Sequence, residues 1–268
     1  MNPGELACYL YCLTSGGGGG EAAPASGVDE RHPVLVLDCG GIGAIYSEVE
    51  LDEFVGPAAE ARLQDLTWLG PRVCRHEAVI EQAMSRAAVL PARFATLFTT
   101  LESLESYVLE RREAIAGFFA QLGDRQEWAV KGLLDRATAL EGALRKLSQP
   151  AAEDDRSPGA RYFEQKRIKA QAEREFNQRL KEHCRQTATA LSATAGGFRE
   201  RKAMPPEEGG AEAVLNWAFL LAPAEIAGFR AALDRLQGDE VFPGLRLTLT
   251  GPWPPYSFVP ELPEVARG

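Results

Sequence analysis

Histidine is scarce in this chain: three residues in 268, His32, His76 and His183. So few imidazoles argue against a multi-histidine metal centre or a histidine-driven nucleophile system, and the sequence contains no GxSxG, no Walker loop, no HExxH and no paired acidic motif in a recognisable setting. Positive charge is in deficit too, with 29 Lys and Arg against 38 Asp and Glu. A net charge of -9 excludes nucleic acid as a general partner, because phosphate binding needs a cationic face that releases counterions. Long apolar runs are absent: none approaches the roughly 20 residues that cross a bilayer, so the chain is not expected to be an integral membrane protein. The five cysteines, Cys8, Cys12, Cys39, Cys74 and Cys184, are odd in number and scattered. With no secretory leader before them they are expected to be reduced thiols of a cytoplasmic protein, acting as small buried hydrophobes. Cys8 and Cys12, four apart on a strand, are expected to point to one side, which is not a usual zinc spacing. Neither a metal nor a cofactor is expected.

What is present is apolar content, 45% of the chain, enough for one large or two ordinary domains. LACYLYCLT (6–14) reads as a strand. The glycine-rich stretch 15–31 has linker composition and predicts a mobile loop. PVLVLD and AIYSEV follow as a hairpin across CGGIG; those glycines are turn glycines, since the third glycine and the helix start of a dinucleotide fingerprint are missing. From Leu51 to Ala88 the period becomes helical, with Leu69, Val73, His76, Ile80, Ala83 and Ala87 on one face. VLPARFATLF (89–98) reads as a strand, and 101–122 as a second amphipathic helix. The order suits one antiparallel sheet with helices on one face, of the ferredoxin-like kind.

After residue 125 the pattern restarts with the strand EWAVKGLLD (127–135), and SQPAAEDDRSPG (148–159) is a polar break. The longest helix, about 159–196, carries the stripe Ile168, Ala172, Phe176, Leu180, Cys184, Ala188, Leu191, Ala195, suited to an intramolecular hairpin or coiled-coil-like seam. Residues 161–202 hold 11 Lys and Arg against 5 Asp and Glu, leaving 18 against 33 elsewhere. A buried strand AVLNWAFLLA, a helix at 224–236 and the strand LRLTLTG lead into GPWPPYSF (251–258). The fold class is thus α+β in two domains, 1–125 and 126–268, the second with a long helical insertion.

Few side chains invite chemistry. His76 lies on an apolar helix face, as a structural hydrogen-bonding histidine or a buried base. Arg93 sits in an apolar strand, where it needs an internal acid such as Glu77 or Glu127, or else binds an anion. In GPWPPYSF, Trp253 and Phe258 either cap the second domain's core or, with Tyr256, form a docking surface. Trp253-Pro254 is a candidate cis bond.

Several separated phrases, YLYCL, AIYSEV, RHEAVIEQA, VLPARFATLF, EWAVK, GARYFEQK and GPWPPYSF, together resemble the gas vesicle proteins of the GvpL/GvpF family over nearly the whole length. Ala95 stands where the family usually has glycine after RF, and the insertion after Thr14 is atypical. The resemblance implies a non-enzymatic accessory or minor structural protein, associated with gas vesicles in the cytoplasm. It would bind the small hydrophobic shell protein GvpA, and other accessory proteins, during vesicle assembly. It also implies two α+β domains, the first a modified ferredoxin-like one. The alternative is a small-molecule-binding regulatory protein built from paired ferredoxin-like domains.

Overall fold

The computed structural model describes residues 5–16, 26–147, 158–202, 211–237 and 242–262. The chain forms two compact units, Met1–Asp124 together with Trp253–Gly268, and Arg125–Pro252. The fold class is α+β, with a sheet in each unit.

The first unit contains β1 (Leu6–Ser15), β2 (Leu35–Asp38), β3 (Ile42–Glu50), α1 (Leu51–Phe54), α2 (Pro57–Gln64), α3 (Leu66–Met84), β4 (Val89–Pro91), β5 (Leu97–Phe98), α4 (Leu101–Glu110) and α5 (Arg112–Leu122). Its strands run in the order β2-β3-β1-β4, with β5 also pairing with β1, and these pairs are antiparallel. The β2–β3 hairpin forms as expected across Gly40 and Gly41, both at positive φ. β1 is buried along eight successive residues, so both of its faces are covered. On one side Ala7, Tyr9, Tyr11 and Cys12 pack with Phe54 of α1 and Val79, Ile80 and Ala83 of α3. On the other, Phe98 of β5, directly opposite Cys8, packs on Tyr107 of α4 with ring centroids 5.1 Å apart, which places α4 on that side. Helices therefore lie on both faces, not on one.

Three local readings change. The register of β1 against β3 slips between Leu10 and Cys12, leaving Tyr11 as an extra residue. One inserted residue reverses the alternation beyond it, so Cys12 joins Tyr9 in the α3-side core while Cys8 does not. The helix at 101–122 is two helices, broken at Arg111; α4 starts on a capping box in which Thr100 and Ser103 each accept from the other's backbone N–H. In the loop reading, residues 17–25 lie outside the described residues, but 26–31 are built in. Val28 is fully buried, its N–H donates to Tyr11 Oη at 2.6 Å, and Asp29 accepts from the N–H groups of Arg31 and His32.

The second unit contains β6 (Gln126–Leu134), α6 (Arg136–Leu147), α7 (Pro158–Ser192), β7 (Gly197–Glu200), β8 (Glu212–Leu221), α8 (Ile226–Leu236) and β9 (Leu245–Trp253). Its sheet order is β7-β8-β6-β9. The first unit opens on three successive strands, as read, whereas the second follows the order strand, helix, strand, strand, helix, strand, with α6 and α7 in the first crossover. The sequence reading placed no element at 136–147 or 197–200. The stripe of α7 turns inward: Phe176, Leu180 and Leu191 join Trp128, Val130, Trp217, Phe219, Phe229 and Leu247 in one core. Phe242 closes that core, against Phe176 and stacked on His183, with ring centroids at 5.7 and 5.2 Å.

Candidate functional site

GPWPPYSF does not cap the second unit. Its glycine does belong there: Gly251 has φ +140, and an added Cβ would stand 3.1 Å from the Glu127 carbonyl and 3.2 Å from the Trp128 ring. Only glycine combines that backbone with that approach. The cis peptide bond is Gly251–Pro252, not Trp253–Pro254. From Trp253 onward the chain goes with the first unit, where Tyr256–Phe258 make a single 3₁₀ turn. Trp253 is 42% exposed and Tyr256 37%, while Phe258 is half-buried. Neither Trp253 nor Phe258 is part of the second unit's core.

Tyr256 carries the anchorage. Its hydroxyl donates to Glu77 Oε1 at 2.8 Å and lies 3.4 Å from His76 Nε2. Burial, then the bond to Glu77, pushes the Tyr256 phenol well above its ordinary range, and burial raises the Glu77 carboxyl. Both residues follow from α3, whose apolar face turns His76 into the sheet and leaves Glu77 at the rim.

His76 is fully buried in an aromatic box, with ring centroids of Tyr9, Tyr11 and Phe94 at 5.6, 5.7 and 5.7 Å. Its Nε2 lies 3.2 Å from the Ala92 carbonyl oxygen, which can only accept, so this nitrogen carries the proton. Nδ1 then accepts from the Tyr9 hydroxyl at 3.0 Å, and that hydroxyl accepts in turn from the Ala95 N–H at 3.1 Å. One neutral tautomer satisfies every group. Burial holds the His76 pKa down to about 4 and lifts the Tyr9 phenol far above its usual range. Both ring nitrogens are engaged, so the arrangement positions a loop and holds no proton ready for a substrate.

That loop is the other half of the site. Between Pro91 and Leu97 the expected strand opens into a turn, tied inward by Ala92 and Ala95 to His76 and Tyr9. Arg93 therefore faces solvent, not the core, and among the described residues no side-chain bond holds it. The acids expected to pair with it are engaged elsewhere: Glu77 with Tyr256, and the buried Glu127 with Arg201. His76, Tyr256 and, through its loop, Arg93 are thus drawn together, and Trp253 and Phe258 flank the Tyr256 turn in sequence. The part of Tyr9 was not foreseen, and Glu77, expected as a partner of Arg93, instead accepts from Tyr256. Tyr9 had one usable signal, a phenol inside an otherwise apolar strand, which must find a polar partner when buried.

Ala95 has φ +60, a left-handed conformation that costs an L-residue about 1–2 kcal/mol. Ala95→Gly is expected to stabilise the first unit by about 0.5–1 kcal/mol, the greater freedom of glycine in the unfolded chain offsetting the rest. Urea denaturation of the two proteins checks it; an unchanged or lower midpoint means the turn carries no strain.

A family model described as gas vesicle synthesis protein GvpL/GvpF matches residues 7–260, from β1 to just beyond the Tyr256 turn. The chain belongs to that family. Curated relatives include gas vesicle protein L of Streptomyces sp. (strain CB03234), 29% identical over 93% of this chain and 91% of the relative. Gas vesicle protein F of the same strain is 30% identical over 86% and 90%. Among solved structures, GvpF from Anabaena sp. PCC7120 superposes with a TM-score of 0.69, at 20% identity and 95% and 96% coverage. GvpF from Microcystis aeruginosa gives 0.66, at 19% identity and 95% and 99% coverage. These structures share the fold of this chain over nearly its whole length. Among the described residues no helix is long and apolar enough to cross a membrane, and no group of His, Cys, Asp and Glu is arranged to hold a metal ion.

Proposed function

We propose that this chain is a gas vesicle accessory protein that binds the small hydrophobic shell protein GvpA, alongside other accessory proteins, and assists vesicle assembly without catalysis. It works in the cytoplasm, associated with the vesicle. The family match across 7–260 carries this reading. A shell subunit with an apolar gas-facing surface aggregates before assembly unless that surface is covered, and an acidic helper keeps the complex dispersed. On this chain the docking element is the 253–258 segment: Trp253 offers a half-exposed indole, and the Tyr256–Glu77 bond fixes the segment beneath it. Arg93, exposed on the neighbouring tethered loop, is a candidate polar contact at its edge. We further assign the modified ferredoxin-like domain to the second unit, whose strand and helix order fits it, with α6 and α7 as its coiled-coil-like insertion.

The test is capture of GvpA by this chain and by Trp253→Ala. The variant is expected to bind at least about tenfold more weakly, as loss of an interface anchor does. Its stability should fall by only about 1 kcal/mol, against the roughly 3–5 kcal/mol of a core aromatic. Equal capture by both proteins moves the docking surface away from the segment. Failure of the wild type to bind, or to change GvpA solubility at any ratio, rejects the assembly role.

A further inference from the structure

The start of α7 is unlike the other described parts of this chain. The buried positions of the helix begin at Ala172; from Pro158 to Gln171 none of its described side chains is buried, about 20 Å of helix. On this stretch Tyr162 and Phe163 stack edge to face, ring centroids 5.7 Å apart, at 61% and 71% exposure. Phe163 precedes Ala172 by nine residues, two and a half turns, so it points away from the buried stripe and is not a core residue displaced. Exposed Lys166 and Lys169 follow on the same stretch. The tip is thus aromatic and basic in a chain that is acidic overall.

A surface of opposite character lies in the first unit, at the corner formed by α1, α2 and the start of α3. Leu66 is 79% exposed and Val55 43%, and the exposed carboxylates of Asp52, Glu60 and Asp65 belong to the same three short segments. Arg62 ties the corner together by donating to the Asp52 carbonyl at 3.2 Å.

We infer that the α7 tip of one copy of this chain docks on the α1–α3 corner of a second copy. Charge argues for a second copy as the occupant. Residues 161–202 carry 11 basic against 5 acidic groups and the remainder 18 against 33. A nucleic acid or an anionic lipid surface attracted to the tip is repelled by the rest of the chain, whereas another copy offers an acidic-rimmed apolar patch. Two different patches meet, so the contact is heterologous and each copy keeps one free face: association continues beyond the dimer unless the geometry closes a ring. This inference does not rest on binding of GvpA.

Sedimentation velocity on the purified chain tests it. At low salt the average mass is expected to rise steadily with protein concentration, and to return to that of the monomer at high salt, where surface charge is screened. Tyr162→Ser/Phe163→Ser and, separately, Leu66→Arg should each weaken association at least about tenfold at unchanged circular dichroism, since both sites are exposed. Mixed in equal amounts, the two variants should form a one-to-one dimer and nothing larger, because only one good junction is left. A monomer at every concentration and low salt overturns the inference. So does association that persists in either variant.

Discussion

His76→Ala is expected to lower the stability of the first unit by about 4 kcal/mol and to flatten its dependence on acid pH. The truncation empties the centre of the aromatic box and leaves the buried Tyr9 hydroxyl without its acceptor, and the cavity and hydrogen-bond losses act together. The pH effect has a definite sign. An unfolded histidine takes up its proton as the pH falls past 6.5, while in the folded chain burial delays uptake to about 4. Between those values the unfolded state binds the extra proton, so stability is complete above 6.5 and drains as the pH falls, by about 3 kcal/mol in all. Glu77 works in the opposite sense: its raised pKa lets the folded chain take a proton first, which softens the loss. Denaturant titrations at pH 7 and pH 5 should show a clear drop for the wild type and a smaller one for the variant. Tyr9→Phe is the milder companion, expected to cost about 2 kcal/mol while keeping the histidine's titration. If both variants unfold at the wild-type midpoint, the box does not hold the first unit together.

The second large effect belongs to the other unit. Glu127 is buried in β6, and Arg201, just past β7, bonds to it although β8 lies between those two strands. Arg201→Ala removes a charged partner from a buried carboxylate and is expected to cost about 3 kcal/mol. Glu127→Gln leaves no buried charge and should cost about 1 kcal/mol, and the double variant should be more stable than Arg201→Ala alone. Thermal unfolding of the three proteins decides it. Additive losses mean that the two residues contribute independently and that the ion pair is not the source of the cost.

Much of this was legible beforehand where one segment buries one face. The alternation in LRLTLTG, the stripe of α7 and the apolar face around His76 each follow from a local period, though α3 stops at Met84, short of Ala87, and α7 at Ser192, short of Ala195. Arg93 was misread because VLPARFATLF is apolar enough for an uninterrupted strand, yet the chain turns after Pro91 to meet His76 and Tyr9, which come from distant segments. Ala95 is the reverse case. A departure from the family's glycine coincides with a positive φ that no property of alanine announces. The basic α7 tip was visible as a count of charges, but its exposed aromatic pair resembled any amphipathic turn.

By itself, the sequence determined the α+β class, the restart after residue 125, the inward stripe of the long helix and the membership in a gas vesicle family. Those rest on composition, period and ordered phrases, which neighbouring residues carry together. Tertiary structure alone decided that Tyr11 is a bulge that turns Cys12 away from Cys8's face, that β7 forms the edge of the second sheet beside β8, and that the chain from Trp253 onward returns to the first unit. Each of these depends on which distant segments pair: one extra residue reverses a strand's faces, and a buried hydroxyl such as that of Tyr256 settles where a partner 179 residues away in sequence can accept its proton.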